Sequence, residues 1–288
     1  MQKLWLRLSA LLACLFSLAS CSGADLVNAF TPEEGYRLEE GLAYGPDPRH
    51  RLDLYLPEDK APEALVVFFY GGSWEDGDRG DYRFVGEAFA SRGIALAVAD
   101  YRLYPQVVYP AFLEDSAAAV AWLRARHDEP LFLLGHSAGA YNAVMLALDG
   151  RWLEGEGLSP CGALAGVVGL AGPYDFLPLK DRDLKAIFGP EEERPATQPV
   201  TYVNAEAPPL LLLSGDADGI VSPRNSRVLA ERQSAAGGTA EARFYDGLGH
   251  IRIVGALSRP LRGSAPVLDD IVAFVETETR RPAAAPSC

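Results

Sequence analysis

Short, unbroken apolar runs alternate along this chain with longer segments whose apolar residues recur at helical spacing. Ala64 to Tyr70, Ile94 to Asp100, Leu131 to Leu134, Ala163 to Leu170 and Leu210 to Leu213 have the length and continuity of strands covered on both faces. Ala242 to Tyr245 adds a shorter strand. Between and after them, Tyr82 to Arg92, Ala111 to Arg126, Ala138 to Leu148 and Val267 to Thr277 predict helices; in the second, Leu113, Ala117, Val120, Ala121 and Leu123 form the apolar face. Ahead of the first buried strand, Leu42 to Tyr44 and Arg51 to Leu56 predict an antiparallel hairpin across Gly45-Pro46-Asp47-Pro48, with Leu52, Leu54 and Leu56 alternating with Asp53 and Tyr55. Such alternation of strand and helix predicts an α/β fold, a mostly parallel central sheet with helices on both faces, and places ligands beyond the carboxyl ends of the strands. Residues 172–208 break the rhythm. Pro173, Pro178, Pro190, Pro195, Pro199 and Pro208 surround one helical stretch, Asp181 to Phe188, so this segment reads either as a cap or lid or as a solvated connection.

Length and charge narrow the class. A chain of 288 residues with 49% apolar composition can bury one large core, and residues 41–280 read as a single domain. A formal charge of −13, with no basic stripe, argues against a nucleic-acid partner.

The N-terminus is a separate object. Lys3 and Arg7 precede an apolar run from Leu8 to Ala19 that is too short to span a bilayer and has the form of a secretory signal. The run ends in Leu18-Ala19-Ser20-Cys21, which resembles the lipobox of bacterial lipoproteins and implies removal of residues 1–20 and lipidation of Cys21. Cleavage removes Lys3 and Arg7 and no acid, lowering the formal charge from −13 to −15. The expected location is the bacterial cell envelope on the exported side, with membrane contact only through the anchor, residues 21–40 as anchor and spacer, and residues 281–288 as a disordered tail. Cys14 leaves with the signal, and an exported compartment permits a disulfide between Cys161 and Cys288. The absence of a C-x-x-C pair or a His/Cys cluster gives no reason to expect a metal.

The chemistry concentrates at Gly135-His136-Ser137-Ala138-Gly139, between a buried strand and a helix. A serine on so sharp a turn has its hydroxyl exposed, the flanking glycines relieve the crowding, and the new helix offers its free N–H groups. The hydroxyl needs a base. His50 belongs to the hairpin, His127 to a helix end on the amino side of a strand, and His136 should point away from its neighbour; His250, on the loop Asp246 to His250 read as flexible, remains. For the acid that orients the base, Asp216 and Asp218 share the loop after Leu213, and spacing alone does not choose between them.

Taken together, Leu52 to Pro57, Tyr70-Gly71-Gly72-Ser73-Trp74, Asp100-Tyr101-Arg102-Leu103, Gly135 to Gly139, Gly215 to Pro223 and Gly249-His250 resemble the small carboxylesterases of the α/β-hydrolase superfamily, the kind related to hormone-sensitive lipase, kynurenine formamidase and bacterial feruloyl esterases. The likeness runs from about Arg51 to Phe274. It implies a cofactor-independent serine ester hydrolase with Ser137 as nucleophile, His250 as base, Asp218 as acid, and the N–H groups of Gly72, Ser73 and Ala138 as the oxyanion hole. Tyr70, Gly71, Trp74 and His136 are implied at the substrate pocket. Relatives usually carry histidine where this chain has Tyr70, a departure that bears on the shape of the loop. Small-molecule or polysaccharide-linked esters are the implied substrates; an amide or formamide hydrolase, an acetyl or feruloyl polysaccharide esterase, and a binding lipoprotein on the same scaffold without turnover are the alternatives.

Overall fold

The computed structural model describes residues 23–281. The signal segment 1–20, the lipidation position Cys21 and all but the first residue of the tail 281–288 lie outside them. Eight strands form one sheet in the order β1-β2-β4-β3-β5-β6-β7-β8. They are β1 (Tyr36–Ala43), β2 (Arg51–Pro57), β3 (Leu65–Phe69), β4 (Ala95–Ala99), β5 (Leu131–His136), β6 (Gly166–Leu170), β7 (Leu210–Gly215) and β8 (Ala240–Tyr245). The β1–β2 and β2–β4 pairs are antiparallel, and every pair from β4 through β8 is parallel. β3, β4, β5, β6 and β7 are buried at every position, which is why they read as continuous apolar runs.

The longer helices are α1 (Gly23–Ala29), α2 (Arg83–Ala90), α3 (Ala111–Arg124), α4 (Ala138–Leu148), α5 (Arg182–Ile187), α6 (Arg224–Ala235), α7 (His250–Gly255) and α8 (Val267–Arg280). All eleven residues of α4 are buried, so the helix that follows the serine lies inside the molecule. Among the described residues no helix is long and apolar enough to cross a membrane. Cys161 is disulfide-bonded, its partner lying outside the described residues.

The segment read as spacer differs from the expectation, and residues 172–208 take a definite place. The stretch read as spacer contains α1 and most of β1: Asn28 of α1 donates through Nδ2 to the carbonyls of Gly80 and Asp81 (3.1 and 3.0 Å), and Arg83 reaches back to the Asn28 carbonyl at 2.7 Å. Within residues 172–208, Asp181 caps α5 by accepting from the N–H groups of Asp183 and Leu184. Ile187 and Phe188 are buried, Tyr109 N–H donates to the Ile187 carbonyl at 3.0 Å, and Tyr141 Oη donates to the Thr197 carbonyl at 2.7 Å. This segment is packed down onto the body of the protein; it does not run free in solvent.

Candidate active site

Ser137 stands between β5 and α4 at φ 53°, ψ −119°, a conformation that L side chains rarely adopt. Its N–H donates to the Leu170 carbonyl at the end of β6 (2.9 Å), which holds the strained residue in place. The bracketing glycines follow from contact distances. A Cβ on Gly135 would stand 2.1 Å from the Gly139 carbonyl oxygen, and one on Gly139 would stand 2.0 Å from that of Phe69. Elbow and sheet approach so closely that only hydrogen fits.

His250 Nε2 lies 2.9 Å from Ser137 Oγ, and His250 Nδ1 lies 2.8 Å from Asp218 Oδ2. The other carboxylate oxygen of Asp218 accepts the N–H groups of Ile220 and Val221, both at 2.9 Å, so the acid is fixed on one side by the backbone and on the other by the imidazole. Asp216 plays a different part, because its Oδ1 accepts Gly247 N–H at 2.7 Å and ties the loop after β7 to the loop before His250. The structure therefore brings Ser137, His250 and Asp218 together and sets Asp216 beside them as a loop tether. His250 does not sit on a flexible loop. It is the first residue of α7, 7% exposed, with Gly249 as the N-cap.

The remaining histidines have structural surroundings. His50 Nε2 is 3.0 Å from Asp115, and His127 Nδ1 is 3.6 Å from Glu129. His136, expected at the pocket, is buried beneath His250 and donates its Nε2–H to the His250 carbonyl at 3.0 Å, with the two rings 4.9 Å apart. Burial, and then the neighbouring His250, push the His136 imidazole down to about 3, so the ring is neutral.

The stretch after β3 curls past the serine. A Cβ on Gly71 would come within 2.9 Å of Ser137 Cβ, and Gly72, at φ 123°, has the Asp76 carbonyl oxygen 2.0 Å from where a Cβ would stand. Ser73 and Trp74 follow at φ 55° and 63°. Gly72 and Ser73 are exposed, and their N–H groups have no partner among the described residues. The N–H of Ala138 lies in the first turn of α4, where no earlier turn supplies a carbonyl. Trp74 is 2% exposed and Tyr70 fully buried, so neither forms an open pocket wall, and Gly71 is likewise buried. Trp74 donates through Nε1 to Asn142 Oδ1 on α4 (3.0 Å), and its ring meets Phe188, Tyr141 and Phe112 at 4.9, 5.2 and 5.6 Å. Beyond Trp74, Glu75 is held above the usual carboxylate range by partial burial and by Asp183 and Asp181. Those two acids stand at the start of α5, and Phe188, the C-cap of that helix, is the ring that Trp74 meets, so the packed segment borders the curled stretch. Among the described residues no group of three or more His, Cys, Asp or Glu side chains could hold a metal ion.

Two features escaped sequence reasoning. Ile220 and Ile251, 70% and 65% exposed, flank Asp218 and His250, and a lone aliphatic residue in a loop gives no periodic signal. Arg49 joins segments that are distant in the chain, which spacing does not reveal.

Comparison with known proteins gives this geometry a context. The BD-FAE family model matches residues 52–232, more than half of the chain. An isoprenylcysteine alpha-carbonyl methylesterase of Arabidopsis thaliana is 30% identical over 84% of this chain and 63% of its own length. Esterase LipC of Mycobacterium tuberculosis is 27% identical over 67% of this chain and 54% of its own. The chain thus spans about three-fifths of the length of the plant relatives it matches. Among solved structures, the truncated form of a carbohydrate esterase from gut microbiota shares the fold with a TM-score of 0.76 at 20% identity, over 87% of this chain and 99% of that one.

Proposed function

The chain belongs to the BD-FAE family, within the α/β-hydrolase esterases, and from that premise we propose that it is a serine ester hydrolase working through an acyl-enzyme. The observation that carries the reading is the unbroken line of hydrogen bonds from Ser137 Oγ through His250 to Asp218, beside the unpartnered N–H groups of Gly72 and Ser73. The esterase names of the curated relatives support the same reaction class.

The steps follow from the geometry. His250 Nε2 takes the Ser137 proton as Oγ bonds to the ester carbonyl carbon. The carbonyl oxygen becomes an alkoxide and accepts from Gly72, Ser73 and Ala138 N–H. Asp218 holds Nδ1–H and stabilises the imidazolium. The C–O bond to the alcohol then breaks, with His250 returning the proton to the leaving oxygen. Water, deprotonated by the same imidazole, adds to the acyl carbon; the bond from that carbon to Ser137 Oγ then breaks, His250 returns the proton to Oγ, and the acid is released.

Because His250 protonates the leaving oxygen, the alcohol departs on the His250 side of the serine. Ile251 follows His250 in the chain and Ile220 lies two residues after Asp218, both exposed, and the proposal is that they meet an apolar portion of that alcohol. Turnover of a short-chain p-nitrophenyl ester, abolished by Ser137→Ala together with fluorophosphonate labelling, tests the activity; turnover that survived the substitution would exclude Ser137 as nucleophile. We also propose that the mature protein starts at a lipidated Cys21 and faces the exported side of the cell envelope. Mass spectrometry of the mature N-terminus checks this, and an unmodified start elsewhere excludes it.

A further inference from the structure

The stretch Gly71 to Gly77 carries two of the proposed oxyanion donors, yet it contains no helix or strand. Inside it, the Glu75 and Asp76 N–H groups donate to the Gly72 carbonyl at 2.9 and 3.1 Å, and Tyr104 N–H donates to the Trp74 carbonyl at 2.8 Å, but its two ends are tied from outside. Arg49, in the turn between β1 and β2, donates through Nη2 to Tyr70 Oη at 2.6 Å and to the Gly77 carbonyl at 2.8 Å, and through Nε to the Tyr101 carbonyl at 2.8 Å. A single guanidinium therefore bonds the residue just before the stretch and the last residue of it. Tyr70 Oη in turn donates to Asp100 Oδ1 at 2.7 Å, and Tyr101 Oη donates to the Tyr70 carbonyl at 2.7 Å. Asp100, 2% exposed, also accepts Arg79 N–H at 2.9 Å and Arg79 Nη1 at 2.6 Å, while Arg79 Nε donates to Asp53 Oδ1 on β2 at 2.8 Å. The Tyr70 ring itself fills the space against Gly77, where a Cβ would meet its carbons at 2.6 Å.

We propose that Arg49 and Tyr70 are positioning residues that close Gly71 to Gly77 into a fixed loop and so aim the Gly72 and Ser73 N–H groups at the developing alkoxide. The inference rests on the esterase reading above. Its physical basis is that neither residue is a member of the Ser137–His250–Asp218 line, while both ends of the donor-bearing loop are bonded to one cation. That cation also lies 3.7 Å from Asp100, which has a second charged partner in Arg79. A planar guanidinium can bond three oxygens in fixed directions, which an ammonium cannot reproduce. Donors aimed at the alkoxide act mainly in the transition state, so a loosened loop lowers kcat and leaves KM nearly unchanged.

The test measures kcat and KM for p-nitrophenyl acetate, with inhibition by a trifluoromethyl ketone, in wild type, Arg49→Lys, Arg49→Met, Tyr70→Phe and Tyr70→His. For Arg49→Met we expect kcat to fall about thirtyfold, part of the hundredfold or more that loss of an oxyanion donor costs, with KM within about twofold. The trifluoromethyl ketone, whose hemiketal oxygen occupies the donor site, should lose affinity in the same proportion. Tyr70→Phe, which keeps the ring and removes only the hydroxyl, should lose about tenfold in kcat. Tyr70→His and Arg49→Lys should recover part of each loss. If wild type turns over and the variants keep kcat within twofold, or lose it through KM with ketone affinity unchanged, the proposal is overturned. Should wild type neither turn over nor label with a fluorophosphonate, the esterase reading falls instead. If Arg49→Met does not fold, the conservative Tyr70→Phe decides by the same criteria.

Discussion

His136 donates its Nε2–H to the backbone carbonyl of His250, 3.0 Å away, so the residue beside the serine holds the proposed base from below. The ring is buried and stays neutral down to about pH 3, against an ordinary histidine value near 6.5. In the unfolded chain the same ring takes a proton below about pH 6.5, so between these values the unfolded state binds more protons and stability falls as pH falls. The expected contribution is about 1.4 kcal/mol per pH unit through that window. Urea unfolding at pH 7, 6 and 5 checks it: His136→Gln should flatten the decline by one proton's worth, and an unchanged slope would show that His136 is not its source.

Asp218→Asn should lower kcat by about three to four orders of magnitude, because an amide at that position leaves the imidazole in the wrong tautomer. Asp216→Asn removes only the charge from a loop tether, and should cost about tenfold at most. Initial rates with a p-nitrophenyl ester distinguish the two, and the reverse order would reassign the acid.

Gly139→Ala should destabilise the protein by about 3 kcal/mol or more, since the added methyl meets the Phe69 carbonyl oxygen at 2.0 Å and backbone cannot yield as a side chain can. Gly219→Ala, with nothing within 4 Å, is the matched control and should leave the melting temperature nearly unchanged. Thermal unfolding of both variants provides the comparison.

Ile220→Ser and Ile251→Ser should each lower kcat/KM for octyl acetate about fivefold relative to methyl acetate, because the loss is of apolar contact with the alcohol. A pH-stat follows both esters without a chromophore. Equal effects on the two substrates would place these side chains outside the path of the leaving group.

The buried strands were legible because each contains an unbroken or nearly unbroken apolar run, and a helix cannot use such a short run. β1 was only partly so. Its sequence YRLEEGLA carries Glu39 and Glu40 and a bulge between Glu39 and Leu42, so the period of two is broken where Gly41 N–H turns to bond Asp53. α6 was hidden by its polarity: in RNSRVLAERQSA only Leu229 and Ala230 are buried apolar residues. Ser137 and His250 were legible from their turn and by elimination. Asp216 and Asp218 were not separable by spacing, because the turn after β7 decides which carboxylate faces the imidazole, and there only the family likeness pointed to Asp218. The part played by Arg49 could not be read at all, since it exists only where the β1–β2 turn, the end of β3 and the end of β4 meet.

The order of the sheet carries a consequence for how activity would be lost. Ser137 leaves the central strand β5, whereas His250 follows β8, an edge strand bonded to β7 alone and only half-buried along most of its length. Edge elements open at lower free energy than the interior they border. Warming should therefore detach the base from an intact serine while the central strands remain paired, so that inactivation precedes the cooperative melting of the sheet and is reversed on cooling.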